Sequence, residues 1–351
     1  ANPLKPQTVK LNGTNIFNSN QGLGLSITSI GAITVNNLQA SNSATLDGAD
    51  IDNSTGGSKA TVTLTGASLF QNNHVNGLSI QSAGAITTNN LTANCNGFHS
   101  GCSSLTGIGN GVQLDNHNAA TPQKVSVLGT ANAFNNNYGD GLYIQSKGAI
   151  TTANVTAEYS FKGNGVNIDN SGAGSVGSVS VTGTNTFIGN DLDGLSVASL
   201  GAITANNLTA NCNGSNNCTT NLFGYDGVYL NNSGGTLLTG ITLTGFNMFE
   251  NNATDGLFIN SSGKVSLTKI YADNNASDGL DLTAGANSTV TCGGFTGNDS
   301  SGNGSSGISA NFIAAHTLTL SGVLSDLNAS NNNYAITGGT FVTTARDCPV
   351  P

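Results

Sequence analysis

The 351-residue chain contains no Trp, one Met, one Arg (Arg346), two Glu (Glu158 and Glu250) and five Pro. Charged residues amount to 8%. Each scarcity excludes something. Without the Glu, Lys and Arg that clothe helix surfaces, the chain is not assembled from amphipathic helices. Nine Lys and Arg stand against 18 Asp and Glu, a net charge of −9, which argues against nucleic-acid phosphate as a partner. No apolar run approaches the ~20 residues of a membrane span, which implies a soluble chain. The first residues show no basic and apolar leader. The expectation is a chain whose signal peptide has been removed, or a piece of something longer.

What the chain has in quantity is Asn and Gly, 52 and 48 residues, together 100 of 351. Disorder is excluded all the same, because Val, Ile, Leu and Phe recur at fixed spacing. Six cysteines are present. Cys95 and Cys102, like Cys212 and Cys218, bracket short loops rich in Asn, Gly and Ser, and no CxxC pair suggests zinc or redox chemistry. Disulfides Cys95–Cys102 and Cys212–Cys218 are expected, which leaves Cys292–Cys348 to tie down the C-terminal region and implies an extracellular or cell-surface location.

Internal repeats decide the fold class. One kind of unit reads GLSITSIGAITVNNLQA from Gly24 and returns from Gly77, Gly141 and Gly194, with a decayed copy from Gly256. A second kind reads GADIDNSTGG at Gly48, GVQLDNHNAA at Gly111, GVNIDNSGAG at Gly165 and GVYLNNSGGT at Gly227. With Gly279 and Gly307 the glycine anchors advance by 24, 29, 34, 30, then 24, 29, 33, 29, then 23 and 28 residues. Gly24 to Gly141 is 117 residues, and so is Cys95 to Cys212, which marks a duplication.

Within each unit apolar residues alternate at period two. Leu78 and Ile80, Val112 and Leu114, and Leu142 and Ile144 point inward in one row, and Val62 and Leu64 or Val125 and Val127 in a second. A third row holds Phe70, Phe134, Phe187 and Phe249, with Leu91, Val155 and Leu208 expected to replace Phe in the alternate coils. No unit of 23–34 residues with two or three short strands buries such faces alone. Stacked at ~4.8 Å, about a dozen units share one core. The expectation is all-β: a single-stranded right-handed parallel β-helix solenoid, right-handed because parallel crossovers prefer that hand. Asn pairs such as Asn72/Asn73, Asn251/Asn252 and Asn274/Asn275 follow the third row and predict asparagine ladders. One domain is read over 1–351: an N-terminal segment 1–20 in mid-coil, regular coils over 21–290, and irregular coils over 291–351.

These repeats resemble the right-handed parallel β-helix proteins of the pectate-lyase-like superfamily, and in character the Asn/Gly/Thr-rich repeats of bacterial surface and filament proteins. The resemblance implies a fold and no catalytic motif. An acid–base site needs paired carboxylates with a histidine or a basic partner. Arg346 stands close to Cys348, far from any cleft, while His74, His99, His117 and His316 fall at unrelated places in the repeats. Asp193 of NDLDG belongs to the routine Asp-Gly turn. The expectation is therefore a non-enzymatic extracellular structural protein, a self-assembling filament, sheath or surface-layer subunit. Its head-to-tail contacts would use Val9, Leu11, Ile16 and Phe17 at one end and Ile336, Phe341 and Val342 at the other. A monomeric adhesin binding cell-surface glycans is the alternative, and a polysaccharide lyase or hydrolase a lesser one. No cofactor is implied beyond Ca²⁺: Asp193, Asp226, Asp255 and Asp278 precede the anchoring glycines of successive coils, and four stacked carboxylates, repelling by on the order of 1 kcal/mol per pair in bulk water, invite a cation.

Overall fold

The computed structural model describes residues 6–55, 60–99, 102, 106–214, 224–236, 238–298, 306–328 and 333–348. Among these there are strands and turns and no α-helix. The chain divides into two compact units, Ala1–Gly177 and Ser178–Pro351, each a right-handed parallel β-helix.

In the first unit each coil contributes a strand to three walls, as with Leu25–Thr28, Ile33–Asn36 and Leu38–Ser41. Each strand pairs in parallel with its counterpart one coil on: Leu25 with Ala49, Ile33 with Val62, Ala40 with Phe70. The second unit repeats the plan with Leu195–Ser199, Ile203–Asn206 and Leu208–Asn211, whose Leu195, Ile203 and Ala210 pair with Val228, Ile241 and Phe249. Alternate residues of every wall are buried. Stacking thus turns the period-two pattern into inward-facing columns, two on each wall.

The corners explain the Asn content. Between the second and third walls Asn37, Asn90, Asn154 and Asn207 adopt φ of 44°, 48°, 52° and 48°, a left-handed conformation that Asn tolerates better than other side chains. Beyond the third wall the Asn pairs divide their labour. Asn72, Asn251 and Asn274 take the left-handed turn, with φ of 54°, 56° and 56°. The next residue of each pair, Asn73, Asn252 and Asn275, turns inward and is buried. Asn252 shows the pattern of the ladder. Its Oδ1 accepts the Asn213 backbone N–H at 3.0 Å and the Asn213 Nδ2 at 3.1 Å. Its Nδ2 donates to Ala210 O at 2.9 Å and to Asn275 Oδ1 at 2.9 Å. The ladder runs through Asn73, Asn96 and Asn137 in the first unit and from Asn190 through Asn213, Asn252, Asn275 and Asn298 to Asn328 in the second.

The third wall departs from expectation in register. Phe70 stacks between Ala40 and Ala93, and Phe249 between Ala210 and Ala272, so phenyl rings alternate with methyl groups. Leu91 and Leu208 lie one column over, opposite Ser68 and Asn185. The reason is space: at ~4.8 Å per coil, alternating large and small residues fills the column without rings colliding. The Leu column alternates with polar residues instead. Ser68 Oγ accepts the Leu38 amide at 3.3 Å, and Asn247 Oδ1 accepts the Leu208 amide at 3.1 Å.

Two disulfides are formed as expected, Cys95–Cys102 and Cys292–Cys348, with Cα atoms 5.0 and 5.5 Å apart. Cys212 is also disulfide-bonded; its expected partner Cys218 lies outside the described residues. No helix among the described residues is long and apolar enough to cross a membrane.

Candidate active site

On the first wall of the first unit the outward side chains form two columns. One runs Ser79, Gln113, Tyr143, Asn167 and the other Gln81, Asp115, Gln145, Asp169, each residue in register with the next. Beyond the second column the coils that carry an Asp, alternate ones in the stack, turn on an Asp-Asn pair and the residue that follows it. In Asp52-Asn53-Ser54 and Asp169-Asn170-Ser171 the Asp Oδ1 accepts both the backbone N–H and the hydroxyl of the Ser, at 2.7 and 2.6 Å in the first turn and 2.9 and 2.7 Å in the second. The central Asn is buried and holds the turn from inside. Asn116, for example, donates from Nδ2 to Gln123 O at 3.0 Å and to Gly84 O at 3.2 Å.

The turn between them reads Asp115-Asn116-His117. An imidazole replaces the hydroxyl, and its Nδ1 lies 2.6 Å from Asp115 Oδ1, which also accepts the His117 backbone N–H at 2.9 Å. Because Asp115 Oδ1 is already the acceptor of that amide, Nδ1 is read as the donor, which leaves Nε2 for other chemistry. The His117 side chain is 34% exposed and that of Asp115 16%, a base open to solvent on a carboxylate largely covered. A shallow pocket of about 120 Å³ beside them is lined by Ser54, Gln81, Ser82, Asp115 and Asn118.

Asp169 stands two coils from Asp115 in the same column, on the order of 9.6 Å away along the stack, with Gln145 between them. Burial pushes its pKa up, but the Ser171 hydroxyl and amide, the Gln145 Nε2 at 3.1 Å and the charge of His117 outweigh burial and hold it below the ordinary carboxylate value. Tyr143 is held above the ordinary phenol value, by burial first and then by Asp169, Asp115 and Asp140. It keeps its proton at neutral pH and is a hydrogen-bond donor. Burial likewise raises Asp140, against the Asn164 amide and the Asn167 and Asn164 side chains. The face thus holds an oriented imidazole, an ionised carboxylate and a protonated phenol, the parts of an acid–base site. It carries no Lys or Arg in either column.

No protein-family model matches the chain, and no curated protein matches it. Among solved structures it is similar to the A-module of the Azotobacter vinelandii mannuronan C-5 epimerase AlgE4, with a TM-score of 0.50 and 13% identity over 90% of this chain and 86% of that one. The fold is a parallel β-helix, like that module's. At 13% identity the likeness carries the fold and no residue roles. It nevertheless corrects the reading of the chain as a non-enzymatic filament, sheath or surface-layer subunit, since the matched β-helix module is an enzyme. The physical error lay in taking all four histidines to fall at unrelated places in the repeats. His117 closes the turn that Ser54 and Ser171 close in sister coils. The signal was available: in IDNS, LDNH, IDNS and LNNS, His117 alone breaks the Ser that closes each turn.

The residues expected to form sites do not include His117. Asp193, Asp226, Asp255 and Asp278 do form one column in the second unit, but each turns a carboxylate oxygen to the next coil's backbone. Asp193 Oδ1 accepts the Asp226 amide at 2.9 Å, Asp226 Oδ1 that of Asp255 at 3.1 Å, Asp255 Oδ1 that of Asp278 at 2.8 Å, and Asp278 Oδ1 that of Ser306. No group of three or more His, Cys, Asp or Glu among the described residues is placed to hold a metal ion. Val9 and Leu11 pair with Ile33 and Val35, Ile16 and Phe17 with Gln39 and Ala40. Ile336, Phe341 and Val342 pair with Ala310, Leu318 and Thr319. Among the described residues all seven lie on strands with a pairing partner on one side.

Proposed function

We propose that the protein is an extracellular carbohydrate-active enzyme that works on a neutral polysaccharide by proton transfer at His117. The observation that carries this reading is the Asp115–His117 pair, an imidazole held at 2.6 Å on a carboxylate where sister coils have only a Ser. Asp115 fixes the tautomer, and Nε2 takes or delivers the proton. Asp169, kept ionised, stabilises positive charge developing on a sugar ring or on the imidazolium. Tyr143 donates to a glycosidic or ring oxygen. The substrate class follows from charge. Asp50, Asp52, Asp115 and Asp169 face outward without a basic neighbour in their columns, and a uronate chain would meet repulsion at each. The fold's precedent for polysaccharide chemistry supports a glycan over other substrates, and the disulfides support an oxidising, extracellular setting.

His117→Ser tests it, because Ser is what the same turn holds two coils away and the fold has room for it. Wild-type protein is incubated with a panel of neutral and uronate polysaccharides while new reducing ends and unsaturated ends are measured. Turnover of a neutral polymer that drops at least about 100-fold in His117→Ser, with unfolding unchanged, is expected. Turnover that survives the substitution, or that is confined to uronates, overturns the reading.

A further inference from the structure

We infer that the second unit carries a sugar-stacking subsite on the Tyr229 ring, fitted to a β-linked pyranose chain of gluco or xylo configuration. It takes its ligand class from the proposed function but needs no turnover, and it stands on different residues.

On the first wall of this unit the outward columns run Ser196, Tyr229, Phe258, Asp281 and Ala198, Asn231, Asn260, Thr283, in continuous register. The Tyr229 and Phe258 rings lie parallel within 3°, their centroids 5.0 Å apart. That separation is close to the ~4.8 Å rise between coils. The two rings therefore stand face to face along the stacking direction, each with one face covered by the other. Phe258 meets Asp281 on its far side. The far face of Tyr229 meets Ser196 and Ala198, side chains that end within one heavy atom of Cβ and are too short to cover a ring. Among the described residues Tyr229 is thereby the end of an aromatic stack, with one ring face unpaired.

The ring is also held still. Asn231 Nδ2 donates to the Tyr229 hydroxyl at 3.1 Å, while Asn231 Oδ1 is anchored on Ser233, accepting its amide at 3.0 Å and its hydroxyl at 2.8 Å. A fixed ring with a row of amides beside it matches one class of molecule, a pyranose whose axial hydrogens make an apolar face and whose equatorial hydroxyls reach sideways. Such a ring would extend the stack by one member and set its hydroxyls against Asn231 and Asn260. Gluco and xylo configurations present that unbroken face, and an axial hydroxyl interrupts it. With no Arg or Lys in either column, the subsite offers nothing to a carboxylated sugar.

The test is calorimetric titration of the full chain carrying His117→Ser, so that no turnover intervenes, with cellohexaose and with xylohexaose. Binding of one or both is expected. Tyr229→Ala should weaken it about tenfold, and Tyr229→Phe, which keeps the ring and loses the hydroxyl, by no more than about twofold. Ser196→Phe guards against misfolding as the explanation, since it leaves both rings in place and covers the open face; it should abolish binding with the melting temperature preserved. The inference is overturned if neither oligosaccharide binds, or if Tyr229→Ala and Ser196→Phe bind like their parent. Tyr229-dependent binding in a protein that turns over no polysaccharide would sink the proposed enzyme and leave this subsite standing. Turnover lost with His117 while Tyr229→Ala binds normally would do the reverse.

Discussion

The two units solve the same turn with different chemistry. Ahead of the first-wall glycines from Gly48 on, a side-chain oxygen accepts the backbone amide of the next coil. In the first unit the column reads Asp47, Asn76, Asn110, Asp140, Asn164, with contacts of 2.8, 2.7, 2.8 and 2.7 Å. In the second it is Asp193, Asp226, Asp255 and Asp278 without interruption, at 2.9, 3.1 and 2.8 Å between them. The geometry therefore needs an acceptor and not a charge. What differs is the cost of the charge. Asp226 is pushed up to about 8, by burial first and then by Asp255 and Asp193. Asp255 rises to about 7, again through burial first, with Asp278 and Asp281 adding to it. In the first unit burial also raises Asp47 and Asp140, but two Asn separate them and neither has a carboxylate neighbour in the column. Neutral amides in the two coils between the carboxylates dilute the repulsion.

The largest effect that would sharpen this contrast lies at Asp226. The folded carboxyl keeps its proton up to about pH 8, whereas the unfolded one releases it near 3.8. Between those values the folded state binds the extra proton. Stability then falls as pH rises, by up to about 1.4 kcal/mol per pH unit, and the loss is complete above about pH 8. Asp226→Asn, which copies the first unit, should flatten that slope and stabilise the protein at pH 8 by on the order of 4 kcal/mol in urea unfolding. An unchanged slope would mean that the carboxylates are relieved in some other way.

Next in size is a control in which the units should agree. The buried asparagine ladder has the same bonds in both, so Asn96→Ala and Asn252→Ala should each cost about 3 kcal/mol, mainly through partners left unsatisfied. Costs that differ by more than about 1 kcal/mol, measured by denaturant unfolding, would show that the ladders are not equivalent. The smallest effect is a transplant. Asn76→Asp with Asn110→Asp makes four consecutive carboxylates from Asp47 to Asp140. It should lower stability at pH 8 relative to pH 5 by about 2 kcal/mol more than in wild type, and leave the pH 5 value nearly unchanged. Equal behaviour at both pH values would break the comparison.

Most of the fold was legible in the repeats, and most of the site was not. The glycine anchors, the inward rows such as Leu78/Ile80 and Val62/Leu64, and the short cysteine loop Cys95–Cys102 followed from spacing alone, because period and coil length are properties of the chain itself. The Asp column was legible too, as a set of residues one coil apart. Its role was not, since nothing in a string of Asp-Gly turns tells whether a carboxylate faces a cation or the next amide. His117 was missed for a related reason. A substitution of one residue in a repeated turn looks like drift until its ring is found on Asp115. Tyr229 and Phe258 gave no sign of stacking either, because they are 29 residues apart.

By itself the sequence determined that this protein is a solenoid of short strands, since only stacking buries apolar rows that no single coil can cover. The tertiary structure alone decided the register between coils. Phe70 faces Ala40 and Ala93 and not Leu91, one Asn of each pair turns the chain while the other enters the ladder, and Asp115, Gln145 and Asp169 share a column. Loops of unequal length separate these residues along the chain, and their alignment is set by how side chains of neighbouring coils fill a common space.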